Sequence, residues 1–421
     1  MAITVTDSPN SPAPVGQKLI VMASSTNVAQ SGFKFKVTVN DGVNTYTMYV
    51  SPNPANRLIV DVKSFFKLAN KTLIGSAIVH AMTDQDGEPL TESGIVFATI
   101  TITEAWLVAG VLTDDPGSAG VTSLTRYFWN ATYQASDGYK PNPADRYALN
   151  GNTDRWLSDR EWNTSRGISG LDQATTRVFI PVRESDYGVL SIIQGISVDT
   201  ATKAQISIYD SSGTPHSTTV VFDGDVMLHL PFYPANLNAN TDGWEKPVTY
   251  PGWRYIKIQA QDSGNAQVSV DYILYNTAVY GGLDCKHDNV RLAWKGFSGG
   301  WEYFNFIKRN EESVNVQRKR YQKVIGDYAG TSFTFTKADA GTLEREPIVE
   351  QLMEINSDWL TEGEFLFLKS LIVSKQVFIL HDNGTVTPVL IETNDYKMPR
   401  ERSPKKKQLS LKLKLANDLW V

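Results

Sequence analysis

Residues 296–300 read Gly-Phe-Ser-Gly-Gly, a match to G-x-S-x-G, the pattern that carries the nucleophilic serine of many hydrolases. That chemistry needs a strand before the serine and a helix after it, so that a strained turn lifts the hydroxyl above a parallel sheet. Ser298 is instead followed by WEYFNFIK, an aromatic, β-prone run with no helix start, and the only histidine downstream is His381. No alternation of strands and helices upstream would build the parallel sheet. The context predicts a glycine turn between two aromatic strands, with Ser298 as a small polar residue in it.

Other reactive constellations are weaker still. The five histidines, His80, His216, His229, His287 and His381, are dispersed, with no H-x-H or H-x-x-x-H pair. Cys285 is the single cysteine, so neither an intrachain disulfide nor a Cys-based zinc site is available. The run DQDGE at 84–88 lacks the ligand spacing of a calcium loop and reads as a turn. Neither a phosphate-cradling loop nor a dinucleotide fingerprint occurs, so no metal and no cofactor is expected. Asp154, Asp159, Glu161 and Asp172 offer carboxylates for a glycosidase-type pair, but two such groups must meet in space and spacing does not choose them. Two basic runs, Arg318-Lys319-Arg320 and Lys405-Lys406-Lys407, lie near Tyr321 and Tyr396. A net charge of −5 and a β-rich setting favour solvated loops or interfacial ion pairs over direct nucleic-acid contact.

Behind these residues stands a chain of 421 residues, 41% apolar and 20% charged, long enough for several cores. The start, MAITVTDSPNSPAPVG, has no basic and apolar signal regions, and soluble synthesis in a reducing cytoplasm is expected. The one stretch that invites a membrane reading, residues 94–112, contains Glu104 and a Thr-Ile alternation, which suits a half-buried strand. Membrane insertion is therefore not expected.

The elements follow from periodicity. Phe33, Phe35, Val37 and Val39 alternate with polar residues, Asn40-Asp41-Gly42 marks a turn, and TYTMYV completes a hairpin. Residues 62–71 are the one short helix candidate of this region. Residues 109–176 are polar and scattered with rings, among them Tyr127, Trp129, Tyr139, Trp156 and Trp162, and read as a loop-rich connector or insertion. Residues 177–280 return to period-two strands separated by Gly turns. In the last block, Thr361-x-x-Glu364 is a capping box opening a helix over about 362–374, with Phe365, Leu368, Leu371 and Ile372 on one face. Asp382-Asn383-Gly384 marks a hairpin, and Leu409, Leu411, Leu413 and Leu415 alternate in a final strand. The fold class is mainly β: multidomain antiparallel sandwiches with a C-terminal β-rich domain carrying one or two short helices. The expected divisions are a sandwich at 1–108, the connector at 109–176, a second, jelly-roll-like sandwich at 177–283, and the C-terminal domain at 284–421.

One stretch carries a resemblance. Cys285 precedes NVRLAWKGFSGGWEYFNFIK, in which Trp294, Gly299, Gly300, Trp301, Tyr303, Phe304 and Phe306 form an aromatic frame around the glycines. With the N-terminal FKFKV and MYVSPNP segments and the terminal WLTEGEFLFLKSLIV, this resembles virion structural proteins of tailed bacteriophages, the type common in marine and Bacteroidota phages. The resemblance touches both ends and leaves out residues 109–176. It implies a non-enzymatic tail, baseplate or collar part, found in the tail region of the virion and made in the host cytoplasm. It also implies assembly as a homo-oligomer in a symmetric ring with other virion proteins. Under that reading Tyr127, Trp129, Tyr139, Trp156, Trp162, Arg318, Lys319, Arg320, Lys405, Lys406 and Lys407 are candidate interface residues. The alternative is a carbohydrate- or receptor-binding module of the adsorption apparatus, with Trp129, Trp156 and Trp162 stacking on a host glycan. A hydrolase is the third reading.

Overall fold

The computed structural model describes residues 3–11, 13–69, 90–91, 95–114, 120–132, 148–149, 152–153, 156–160, 177–193, 201–222, 227–281, 287–326, 330–334, 338, 340–345, 347–393 and 408–416. The protein is mainly β, with several antiparallel sheets and four helices among these residues. It divides into two compact units. The first holds residues 1–284, 294–303 and 382–384; the second holds 285–293, 304–381 and 385–421. No helix among the described residues is long and apolar enough to cross a membrane.

In the first unit, strands Ile3–Asp7, Ile20–Ser25 and Arg57–Asp61 form a three-stranded sheet. It shares a core with a larger sheet built on Lys34–Asn40, Thr45–Val50, Ile95–Val108 and Thr122–Trp129. The inward positions alternate as the period-two pattern requires: Phe35, Val37 and Val39 meet Val21, Ala23, Leu58 and Val60 in one buried cluster. Burying each large aliphatic or aromatic side chain contributes roughly 1.5–3 kcal/mol. The Asn40-Asp41-Gly42 turn closes the expected hairpin, with the Asp41 amide donating to the Asn44 carbonyl. The helix of this region spans Lys63–Ala69.

The stretch weighed as a membrane span is the long central strand Ile95–Val108. Glu104 is buried in it, yet both carboxylate oxygens are used: one accepts from Ser25 Oγ, the other from Asn27 Nδ2 and the Gly120 amide at 2.8 Å each. A buried carboxyl group is tolerated when hydrogen bonds replace its water. Part of the segment read as a loop-rich connector is also strand. Thr122–Trp129 pairs along its whole length with residues 95–102.

Further along the first unit, a five-stranded sheet runs in the order Arg177–Val182, Asp271–Asn276, Tyr255–Gln261, Lys203–Tyr209, Pro215–Val221. Its first two strands are parallel and the rest antiparallel. A smaller sheet joins Leu190–Ile193, Met227–Leu230 and Leu90–Thr91.

The hairpin Val290–Lys295/Trp301–Phe306 has its turn, 294–303, in the first unit and its other end in the second. It leads a seven-stranded sheet that continues through Val377–Leu380, Val386–Ile391, Ser410–Leu415 and Ile348–Asn356 to Glu311–Gln317. The helix Glu362–Val373 starts at the expected capping box: the Thr361 amide donates to Glu364 Oε2 at 3.0 Å and the Glu364 amide to Thr361 Oγ1 at 3.3 Å. It buries Phe365, Phe367, Leu368 and Leu371.

Candidate functional site

The G-x-S-x-G turn joins two antiparallel strands, and its geometry is set by close approach of backbone. The Gly296 amide donates to the Gly300 carbonyl at 2.9 Å and the Gly299 amide to the Gly296 carbonyl at 3.1 Å. Gly299 has φ +84°, a conformation side chains with a Cβ rarely take. A Cβ on Gly300 would stand 1.9 Å from the Leu157 carbonyl oxygen. The glycines are therefore required by packing, and their match to a nucleophile pattern follows from that. Ser298 is fully buried, and its Oγ accepts from the Gly300 amide at 3.4 Å.

Two segments distant in sequence hold the turn. Trp129 Nε1 donates to the Ser298 carbonyl at 2.9 Å, and the Thr132 amide to the Phe297 carbonyl at 2.7 Å. From the other side, the Asp159 carboxylate accepts from the Phe297 amide and, at 2.9 Å, from the Ser298 amide. The Asp159 amide in turn donates to Glu302 Oε1, and Arg160 Nη2 donates to the Tyr303 carbonyl at 2.6 Å. Tyr303 Oη accepts from the Val189 amide at 2.8 Å, and Lys295 Nζ lies 4.7 Å from the Trp301 ring centre.

Asp159 and Glu302 thus form the carboxyl pair that spacing did not choose. Glu302 is buried, and its acid is pushed up to about 8, first by loss of water and then by the Asp159 charge, with the Arg160 guanidinium acting in the opposite direction. Beside it Ser191 Oγ and His229 Nδ1 lie 2.8 Å apart, both residues buried, and the Trp301 amide donates to Ser191 Oγ at 3.2 Å. Trp156, Ser158, Ser191, Tyr233, Trp301 and Glu302 line a cavity of about 10 Å³, the space of one water molecule. Its chemistry is polar and titratable, but a sugar ring or an acyl chain has no room there. Among the described residues, no group of three or more His, Cys, Asp or Glu side chains is placed to hold a metal ion.

The interface candidates separate. Trp129 and Trp156 are 0% and 1% exposed. They are core residues of the first unit, because indole rings fill the space around the turn, and neither offers a face to a glycan or a partner. Tyr127 is half-buried and packs on Phe97, ring centres 4.9 Å apart. Arg318, Lys319 and Arg320 are exposed, with Arg318 and Arg320 both bonded to Glu344. Trp294, Gly299, Gly300, Trp301 and Tyr303 come together in the turn, while Phe304 and Phe306 pack edge to face 5.1 Å apart in the second unit. Tyr139, Trp162, Cys285, Lys405, Lys406, Lys407, Asp154, Glu161 and Asp172 lie outside the described residues, as does the 84–88 turn. Sequence reasoning missed Glu302, Ser191 and His229. Only Glu302 carried a signal, as an acidic residue at an inward position of an aromatic strand.

No protein-family model matches the chain, and no curated protein matches it. A solved structure, the crystal structure of a tetra-tandem repeat in the extending region of a large adhesion protein, is similar over 92% of this chain and 71% of that one. The identity is 11% and the TM-score 0.23, a likeness too shallow to assign a fold or a function.

Proposed function

We propose that the chain is a non-enzymatic structural part of a tailed-phage virion, in the tail, baseplate or collar, that associates with copies of itself and with other virion proteins. The observation that carries this reading is the state of the motif behind the resemblance. Ser298 is 0% exposed, the Phe297 and Ser298 amides donate to Asp159, and the Gly299 amide, the one a nucleophile elbow would turn toward an oxyanion, donates to the Gly296 carbonyl. The aromatic frame works as a rigid latch that fixes one strand connection, as a part of defined shape requires. Burial of Trp129 and Trp156 weakens the glycan-binding alternative, since stacking on a sugar needs an open ring face.

The test is peptide mass spectrometry of purified particles from a producing culture. The chain is expected among the stoichiometric virion proteins. Its presence only in the particle-free lysate overturns the proposal.

A further inference from the structure

The second unit ends its sheet on an edge that no strand covers among the described residues. Residues 311–325 are all exposed, including Val314 at 57%, Val316 at 38%, Tyr321 at 47% and Val324 at 65%. Among the described residues, strand Glu311–Gln317 pairs on one side only, with Ile348–Asn356. Arg318 and Lys319 follow outside any strand, and a separate two-stranded sheet then pairs Arg320–Gln322 with Thr342–Glu344, with the Arg345 amide donating to the Lys319 carbonyl at 2.8 Å. Beyond Leu352, where pairing with Ser410–Leu415 stops, the two strands pair only with each other among the described residues. Two-stranded ribbons are marginally stable in water, and an open edge is a template for another strand.

Register assigns the two faces of this ribbon. Val316 lies opposite Val349, Val314 opposite Gln351 and Glu312 opposite Met353, and Met353 lies opposite the buried Leu413. One face is therefore a mainly apolar continuation of the core side, which also carries Glu312 and Gln351. The other face is mainly polar, with Asn315 and Lys414 both bonded to Glu350, and Ile348 and Leu352 among its residues.

The edge sequence, Glu311-Glu312-Ser313-Val314-Asn315-Val316-Gln317-Arg318-Lys319-Arg320, is complementary to its own reverse. Placed antiparallel about a two-fold axis through Asn315, Glu311 meets Lys319, Glu312 meets Arg318, Ser313 meets Gln317 and Val314 meets Val316. A shift of one residue puts the valines against polar residues and the apolar face of one copy beside the polar face of the other. We propose that this edge is the contact between two copies of the chain, joined as antiparallel strands about a two-fold axis at Asn315. Edge charges normally repel a second strand; here their order attracts an antiparallel copy. Glu312 and Lys319 engage in no ion pair among the described residues, and the pairs that Arg318 and Glu311 make, with Glu344 and Arg309, are exposed and exchangeable.

The inference rests on the reading of the chain as a self-associating part, but not on which particle it enters. It is tested by sedimentation equilibrium of the full chain as wild type, Glu312→Arg, Arg318→Glu and the double variant. Each dimer contains the Glu312–Arg318 contact twice, so a single reversal is expected to weaken association about ten-fold. The double reversal restores the pairs and is expected to bring association back to near the wild-type value. Asn315→Cys in a Cys285→Ser background is expected to link two chains under a short bismaleimide. A wild type that stays monomeric, single reversals without effect, a double variant as weak as the sum of its parts, or an associating chain that does not link at 315 each overturns the edge contact. A chain found in particles with any of those results leaves the virion reading standing and this contact rejected.

Discussion

Replacing Glu302 by Gln removes a buried acid while keeping an oxygen that accepts the Asp159 amide. In the folded chain this acid is pushed from 4.5 to about 8. The sign follows from proton counting. Between these values the folded state holds a proton that the unfolded state has released, so stability falls as pH rises from 4.5 through 8 and is steady below that window. A difference of about 3.5 pH units, at 1.36 kcal/mol each, places at most about 5 kcal/mol on this one group above pH 8. At pH 7 the same arithmetic gives about 3 kcal/mol. Glu302→Gln is therefore expected to match wild type within about 1 kcal/mol at pH 4.5 and to exceed it by a few kcal/mol at pH 8. Urea denaturation of both proteins across that range, followed on the transition of the first unit, measures the difference and cancels the titration of groups that do not interact with Glu302. A variant less stable than wild type by a constant amount at all pH values would refute the argument. It would show that Glu302 is charged throughout and held by Arg160.

Four further substitutions test the packing and caps described above. Gly300→Ala forces a Cβ to within 1.9 Å of the Leu157 carbonyl and is expected to destabilise the first unit by about 3 kcal/mol or more, whereas Gly42→Ala, with nothing within 4 Å, carries only a backbone penalty of about 1–2 kcal/mol; thermal unfolding separates them. Asp159→Asn sets an amide N–H₂ against one of two backbone donors, and a loss of about 1–3 kcal/mol is expected together with a shallower pH dependence from Glu302, both visible in denaturation curves. Thr361→Ala removes the helix cap, and a loss of about 1 kcal/mol is expected in the unfolding of the second unit.

What the sequence made readable was local. The alternation from Phe33 to Val39, the Asn40-Asp41-Gly42 turn and the Thr361/Glu364 box each specify a conformation within ten residues, and each stands where its pattern places it. Residues 94–112 read as strand because Glu104 broke the lipid pattern, and the partners that make its burial tolerable, Ser25 and Asn27 on one segment and Gly120 on another, are distant from it or beyond its end. The pair Asp159–Glu302 is separated by 143 residues, and Trp129 lies 169 residues from the carbonyl it binds. Neither meeting leaves a periodic trace. A ring-rich polar segment looks the same in sequence whether its rings are exposed or, like Trp129 and Trp156, packed around a turn. The parallel pairing of Arg177–Val182 with Asp271–Asn276 was equally hidden, since a strand's alternation does not name its neighbour. In the edge strand the basic run Arg318-Lys319-Arg320 was read from the sequence, while the place of Glu311 and Glu312 on an edge came only from the register.

The central claim, that the G-x-S-x-G segment is a closed latch, is tested most directly by native-state hydrogen exchange at the Phe297 and Ser298 amides. Turn amides facing water exchange quickly. Here both donate to the Asp159 carboxylate beneath buried indoles, and the account predicts protection close to that of the core strands. Rapid exchange at these two amides, with the neighbouring strands protected, would mean an open turn that presents Ser298 to solvent, and would contradict it.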